Sequence, residues 1–215
     1  MSHKLSSSLL FAAVLTACSS TTVVQPAPAP ADPTDEDAGT TGGDAATGGS
    51  DASADAAAGP MTLTSPEFTE GGAFPKASTC DGADTSPALT WTPGPAGTKS
   101  YAIAFNDVTI SYLHGVMYDI PATTTALPAN VEKAYAPSNA PGAKQTKSFR
   151  STVTGYAGPC ARAPSTHTYE FILYALSVET LAGATEQSTR DQVFDLIDKK
   201  PIVLATTRLT GTYTR

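Results

Sequence analysis

The sequence is poor in charge, cysteine and histidine, and each shortage disfavours a class of protein. Charged residues make up 15% of the 215 positions, against about 25% in an average soluble protein. The net charge of −7 argues against binding to a nucleic-acid backbone, which needs basic patches. Three Cys and three His are too few for a zinc-ribbon framework or a disulfide-dense mini-protein. No apolar run reaches the length of about 18 residues that a membrane-spanning helix requires.

The N-terminus has the organisation of an export signal. Lys4 precedes the apolar run 9–15, which is followed by Thr16-Ala17-Cys18. A secretory signal ends in small residues before its cleavage site, and the cysteine at this point resembles the lipobox of bacterial lipoproteins. The resemblance implies a signal peptide over residues 1–17, lipidation of Cys18, and an exported, membrane-anchored protein that faces the periplasm or the cell surface. The alternative is an ordinary secretory signal in which the cysteine is accidental.

Residues 18–60 are predicted to form a disordered linker. The segment consists mainly of Ala, Gly, Pro, Asp, Ser and Thr, with seven acids and with no Lys, Arg or aromatic residue. Such a composition cannot bury enough apolar surface to offset the entropy lost on ordering. The acidity of the chain belongs to this linker, because residues 61–215 carry 13 acids and 12 Lys or Arg. We interpret the linker as a tether that holds a domain away from the membrane. A binding tail is the alternative.

Residues 61–215 are predicted to form one mainly β domain, a β-sandwich with a short helix near the C-terminus. Strands are expected at 101–105, 113–120, 169–176 and 206–214, where apolar or β-branched residues lie between Pro, Gly and small polar residues. The run 101–105 is apolar at both odd and even positions, which indicates a central strand that is covered on both faces.

One helix is predicted before Pro201. Ser188 is the expected N-cap and Asp191 the third helical residue, with Val193 and Ile197 on the apolar stripe. The two lysines that follow suit the C-terminal end of the helix dipole.

The segment from Gly155 to Cys160 is a candidate ligand loop. Its two glycines and its proline allow a sharp turn and a close approach of the backbone to a ligand. His167 and Tyr169 share one face of the strand that follows, so an imidazole, a phenol and exposed backbone amides could cradle an oxyanion. A tight structural loop with a capping histidine is the alternative.

Asp107 and His114 lie at the ends of the first two predicted strands. A carboxylate near an imidazole can fix its tautomer and raise its basicity. The positions are compatible with a pocket shared with His167, although spacing alone does not establish one.

Five segments of the domain, in order, each resemble a known motif. They are 81–91 (DGxxxSPxLxW), 97–102 (GTKSFA), 114–121 (HWVxxxIP), 155–176 (GYxGPCPP…HxYxFxLYAL) and the chain end 209–215. Together they resemble the bacterial Raf-kinase-inhibitor-like branch of the phosphatidylethanolamine-binding protein family, and the resemblance extends from about residue 62 to residue 215.

The resemblance implies a β-sandwich with a small anion pocket at one end, which in the family accepts phosphate, acetate or a phosphoethanolamine head group. Carried over by position, its lining would be Asp107, His114, Gly155, Gly158, Pro159, His167 and Tyr169. The imidazoles and backbone N–H groups would donate to ligand oxygens, and Asp107 would bind an amine or orient a histidine. No cofactor and no metal ion are implied.

Two departures from the family pattern concern this pocket. The usual DPDAP run is replaced by Asn106-Asp107-Val108-Thr109-Ile110, with a shorter path to His114. One acid and the proline are missing, which puts the shape of that pocket wall and amine recognition in doubt. Gly115 stands where the motif has Trp, and Ala161-Arg162 replaces the final two prolines. Arg162 is expected either to strengthen anion binding or to be a solvated loop charge.

Cys80 and Cys160 are predicted to form a disulfide. With Cys18 assigned to lipid, these two cysteines remain, each beside a predicted pocket segment, and an exported compartment permits oxidation. Two buried thiols are the alternative. Neither cysteine has a basic neighbour in sequence that suggests a nucleophile.

These inferences favour a lipid-anchored, exported binding protein that recognises a small anion or a phosphorylated head group and inhibits or scaffolds a protein partner. A hydrolase with His167 or His114 as base and Asp107 as orienter is the rival, although no G-x-S-x-G motif supplies a nucleophile. A metal site built from Asp107, His114, His167 and Tyr169 is a third interpretation.

Overall fold

The computed structural model of the protein describes residues 60–199 and 201–215. The predicted signal peptide, Cys18 and the linker up to residue 59 lie outside the described residues. Within the described ranges, no helix is long and apolar enough to cross a membrane.

The described chain contains eight strands and one α-helix, with a short 3₁₀ turn at Lys76–Ser78. The elements are β1 (Leu63–Thr64), β2 (Leu89–Trp91), β3 (Ser100–Asp107), β4 (Tyr112–Pro121), β5 (Ala126–Leu127), β6 (Lys144–Gln145), β7 (Thr166–Leu176), α1 (Arg190–Asp198) and β8 (Val203–Thr214).

The strands form two sheets, each antiparallel throughout. The small sheet has the order β1-β2-β5, and the large sheet has the order β6-β4-β3-β7-β8. The predicted sandwich is confirmed, and each of the four predicted strands is present and longer than expected. The extension of β7 is polar, since Thr166 and Thr168 pair with Thr214 and Thr212 of β8, whereas the extension of β8 is the apolar run 203–205.

The large sheet is covered on both faces, because its central strand β3 has apolar side chains on both faces. Tyr101, Ile103 and Phe105 join the core between the two sheets. Ala102 and Ala104 face the other way, into a second core that includes α1. The small alanines leave room there for the larger side chains of the helix and of the neighbouring strands.

The predicted helix is present, but its start is one residue later than expected. Thr189, rather than Ser188, is the N-cap, and its side chain accepts a hydrogen bond from the N–H of Gln192 while the Gln192 side chain bonds back to the N–H of Thr189. This reciprocal capping box satisfies two otherwise unpaired donors. The Ser188 hydroxyl instead accepts from the N–H of Thr185, and Asp191 is the second helical residue.

Candidate functional site

The end of β3 and the start of β7 bring Asp107 and His167 together. Asp107 pairs with Tyr169 in the strand register, and the rings of His167 and Tyr169 stack with centroids 6.2 Å apart. The Nδ1 of His167 lies 2.6 Å from Oδ2 of Asp107. Because a carboxylate accepts, Nδ1–H donates and Nε2 is the ring nitrogen left for other contacts.

Asp107 acts inside the protein as an orienting group. Its side chain is only 2% exposed, and its Oδ1 accepts from the N–H groups of Thr109 and Ile110 at 3.1 and 3.4 Å. The phenol of Tyr169 also contacts Asp107. The pKa of Tyr169 is raised well above its usual range, mainly by burial and secondly by the negative charge of Asp107. Of the two roles expected for Asp107, these contacts favour orienting His167 over binding an amine.

His114 is buried beside this pair on β4. Its ring lies 5.1 Å from Phe105 and 4.3 Å from Phe149, measured between centroids. Its Nδ1 lies 3.0 Å from the carbonyl oxygen of Ala157, so Nδ1–H donates to that carbonyl. Burial lowers the pKa of His114, since desolvation disfavours the charged imidazolium. The neutral ring therefore offers Nε2 as an acceptor, not as the donor expected from the sequence.

Two arginines add positive charge near His114, and sequence reasoning missed both. Arg150 and Arg190 each lower the pKa of His114 further. The Nε of Arg190 donates to the carbonyl of Leu113 at 2.7 Å, and its guanidinium lies 5.2 Å from the centroid of the Tyr112 ring. One signal was available for Arg190, because a cation in the first turn of a helix opposes the helix dipole.

We define the histidine site as Asp107, His114, His167 and Tyr169. The centroids of the His114 and Tyr169 rings are 5.5 Å apart, so the structure brings these four predicted residues together. In the described ranges, no three His, Cys, Asp or Glu side chains are grouped so as to hold a metal ion.

The candidate ligand loop from Gly155 to Cys160, the glycine loop, does not offer the backbone N–H groups that were expected to bind a ligand. The N–H of Gly158 donates to Oδ1 of Asp84 at 2.7 Å, and the N–H of Gly155 donates to the carbonyl of Thr146 at 2.9 Å. A Cβ on Gly158 would lie 2.0 Å from the carbonyl oxygen of Ser78. Gly158 therefore allows the loop to approach the Ser78 backbone closely, and Gly155 leaves room for the side chain of Gln145.

The same loop is covalently attached to the segment 78–84. The predicted Cys80–Cys160 disulfide is present, with an S–S distance of 2.10 Å and a sequence separation of 80 residues. Alongside it, the N–H of Cys80 donates to the carbonyl of Pro159 at 3.0 Å, and the ring of Pro159 is buried. Arg162, just beyond the disulfide, is exposed. The loop residues Gly155, Gly158 and Pro159 thus contact other parts of the protein and support the histidine site. Contact of any of the seven predicted residues with a ligand stays a prediction.

Gly158→Ala is expected to destabilise the protein by about 3 kcal/mol, because overpacking against backbone costs roughly that much. The displaced loop of the variant would also strain the hydrogen bond from the residue 158 N–H to Asp84. Urea denaturation measures the free energy of unfolding. Gly115→Ala is the matched control, since a Cβ at Gly115 would meet nothing closer than 3.7 Å. Equal stability of the two variants would contradict the proposed close approach.

His114 is expected to titrate below its usual pKa of 6.5 because it is buried. The stability that neutral His114 contributes is then complete above about pH 6.5 and is lost as the pH falls, because the unfolded chain takes up the proton first. NMR titration of the imidazole signals, assigned with His114→Gln, measures the midpoint. The same variant should lose less stability than the wild type between pH 7 and pH 5. A midpoint at or above 6.5 would contradict this environment for His114.

Comparison with known proteins identifies the family. The family model described as phosphatidylethanolamine-binding protein matches residues 64–214. A UPF0098 protein of Aquifex aeolicus is 36% identical over 159 residues, covering 72% of this chain and 89% of the relative. LppC of Mycobacterium tuberculosis, named as a lipoprotein, is 35% identical over 128 residues, covering 57% of this chain and 58% of the relative.

The solved structures agree with the sequence comparison. Escherichia coli YbcL, described as a member of the mammalian PEBP family, superposes with a TM-score of 0.63 at 27% identity, over 72% of this chain and 98% of YbcL. A PEBP homolog from Chlamydia trachomatis gives a TM-score of 0.61 at 27% identity, over 73% of this chain and 98% of that chain. With the family model covering most of the chain and a close curated relative covering 72% of it, the protein belongs to the phosphatidylethanolamine-binding protein family.

Proposed function

We propose that this binding protein is exported and lipid-anchored, and that it recognises a small anion or a phosphorylated group at the histidine site. The observation that carries the proposal is the pairing of His167 with Asp107, which turns Nε2 of His167 away from its carboxylate partner. The His167 side chain is 14% exposed, so solvent and a small ligand can reach it. Arg190, which lies near His114, has its nearest carboxylate, that of Asp191, 3.9 Å away, which leaves much of its positive charge available to an anion.

A phosphate monoester suits the different states of the two imidazoles. Neutral His114 has only an acceptor nitrogen left, so its partner must donate a hydrogen bond. A phosphomonoester has a second pKa of about 6, and below that pH its predominant form carries one O–H donor beside several acceptor oxygens. Such a group can donate to His114 while its remaining oxygens face Arg190. A fully deprotonated anion lacks the donor.

The anchor proposal rests on the lipobox resemblance at Cys18 and on the lipoprotein name of LppC. Inhibition or scaffolding of a protein partner is part of the same proposal, and the partner is not identified. The rival hydrolase keeps one supporting observation, since a carboxylate bonded to Nδ1 of a histidine is the base–orienter pair of many hydrolases.

Inorganic phosphate and phosphoethanolamine are expected to raise the melting temperature of the protein. Ligand at one hundred times its Kd stabilises the folded state by about 2.7 kcal/mol. His167→Ala should abolish the shift and Arg190→Gln should reduce it. Arg208→Gln is the matched control, because it removes the same charge from an exposed position that pairs with Glu170.

The same samples separate binding from hydrolysis. Binding without release of phosphate from phosphoethanolamine supports the binding function, whereas release that depends on His167 would favour the hydrolase. Absence of any melting shift at millimolar ligand in the wild type would overturn the assignment of the site.

Cys18→Ser is expected to move the protein from the membrane fraction to the soluble exported fraction, because the diacylglyceryl group on sulfur would be lost. Fractionation followed by intact-mass analysis of the wild type and the variant measures both effects. Ser19→Ala is the control next to the predicted cleavage site. A wild-type mass without added lipid would refute the anchor and leave the binding proposal standing.

A further inference from the structure

An apolar cavity lies behind His114, between the two sheets. Its volume is about 60 Å³, and beside His114 its wall includes Leu89 and Leu127 of the small sheet and Ile103, Phe105 and Phe171 of the large sheet. Asp107, His167 and Tyr169 are not part of the wall. The cavity is thus a compartment separate from the histidine site, and His114 is common to both.

The cavity has an identifiable cause in the sequence. Gly115 pairs with Phe105 across the β3–β4 ladder, and Met117 pairs with Ile103. Partners directly opposite in an antiparallel pair present their side chains on the same face, so a side chain at Gly115 would project toward the cavity. Its absence leaves a gap in a row of large residues.

Nothing in the backbone requires glycine at this position. Gly115 does not have a positive φ, and a Cβ there would be 3.7 Å from its nearest neighbour, the carbonyl oxygen of Gly155. That distance is an ordinary van der Waals contact. The position could therefore carry a larger residue, as the resembled motif does with Trp, and in this chain the space is left open.

We propose that this cavity is an apolar subsite for a short alkyl arm of the phosphorylated ligand, an inference that rests on the proposed function of the histidine site. The arm enters past His114 while the phosphate stays with His167 and Arg190. An apolar cavity of about 150 Å³ holds benzene or xenon, so a space of 60 Å³ suits an arm of about two or three carbons. The ligand class is a short-chain alkyl phosphate ester.

The affinities of inorganic phosphate and of methyl, ethyl, propyl and hexyl phosphate for the whole protein test the subsite by calorimetry. Each buried carbon should tighten binding about fourfold. Propyl phosphate, with three carbons, should therefore bind roughly sixtyfold more tightly than inorganic phosphate. Hexyl phosphate should gain little over propyl phosphate because the cavity is full. Equal affinities across the series, with phosphate bound, would refute the subsite alone. No binding by any compound would refute both the subsite and the histidine site.

Gly115→Val fills the cavity and is expected to reduce the propyl-to-phosphate affinity ratio to near one. Gly115→Ala, which adds only the tolerated Cβ, should give an intermediate ratio and covers the case in which the valine variant folds poorly. Ala126→Val adds two methyl groups at an exposed position on β5 and should keep the full ratio. An unchanged ratio in both Gly115 variants would overturn the inference.

Discussion

The histidine site depends on one hydrogen bond outside it, from the Gly158 N–H to the Asp84 carboxylate. This bond holds the glycine loop against the segment 78–84, and the disulfide to Cys80 fixes the end of the loop. Ala157 precedes Gly158, and its carbonyl accepts the Nδ1–H of His114. The position of the loop therefore sets the tautomer of His114.

The negative charge on Asp84 strengthens its hydrogen bond to the Gly158 N–H. Keeping that charge partly buried costs little free energy, because two cations balance it. The Oδ2 of Asp84 forms ion pairs with Lys133 Nζ at 3.0 Å and with Arg150 Nη1 at 3.1 Å. Two cations thus balance the carboxylate, while its Oδ1 faces the loop. Hydrogen bonds to a charged acceptor are stronger than neutral ones. Arg150 consequently serves two purposes, since it balances Asp84 and contributes to the positive potential near His114.

The sequence was sufficient for the four long strands and the disulfide, because these depend on local composition and on the small number of cysteines. It did not predict the short strands β1, β2, β5 and β6, which have two or three residues each. It was insufficient for the glycine loop. Gly155 and Gly158 mark a close approach, but only the fold shows what approaches, which is the Gln145 side chain at Gly155 and the Ser78 backbone at Gly158. Likewise, Arg190 reaches the carbonyl of Leu113 across 77 residues, and no local pattern contains a contact of that range.

The turn after Asp107 departs from the family pattern, which has two acids where this chain has one. The single acid, Asp107, uses both of its carboxylate oxygens. Its Oδ1 accepts from the N–H groups of Thr109 and Ile110 and so closes the turn, while its Oδ2 holds His167. Both oxygens are thereby committed within the protein. A ligand amine would have to displace one of these bonds from a buried carboxylate, which is costly because the freed donor would lose its partner. The recognition that we propose for this site is therefore directed at the anionic part of a ligand, and the absence of the second acid agrees with that proposal.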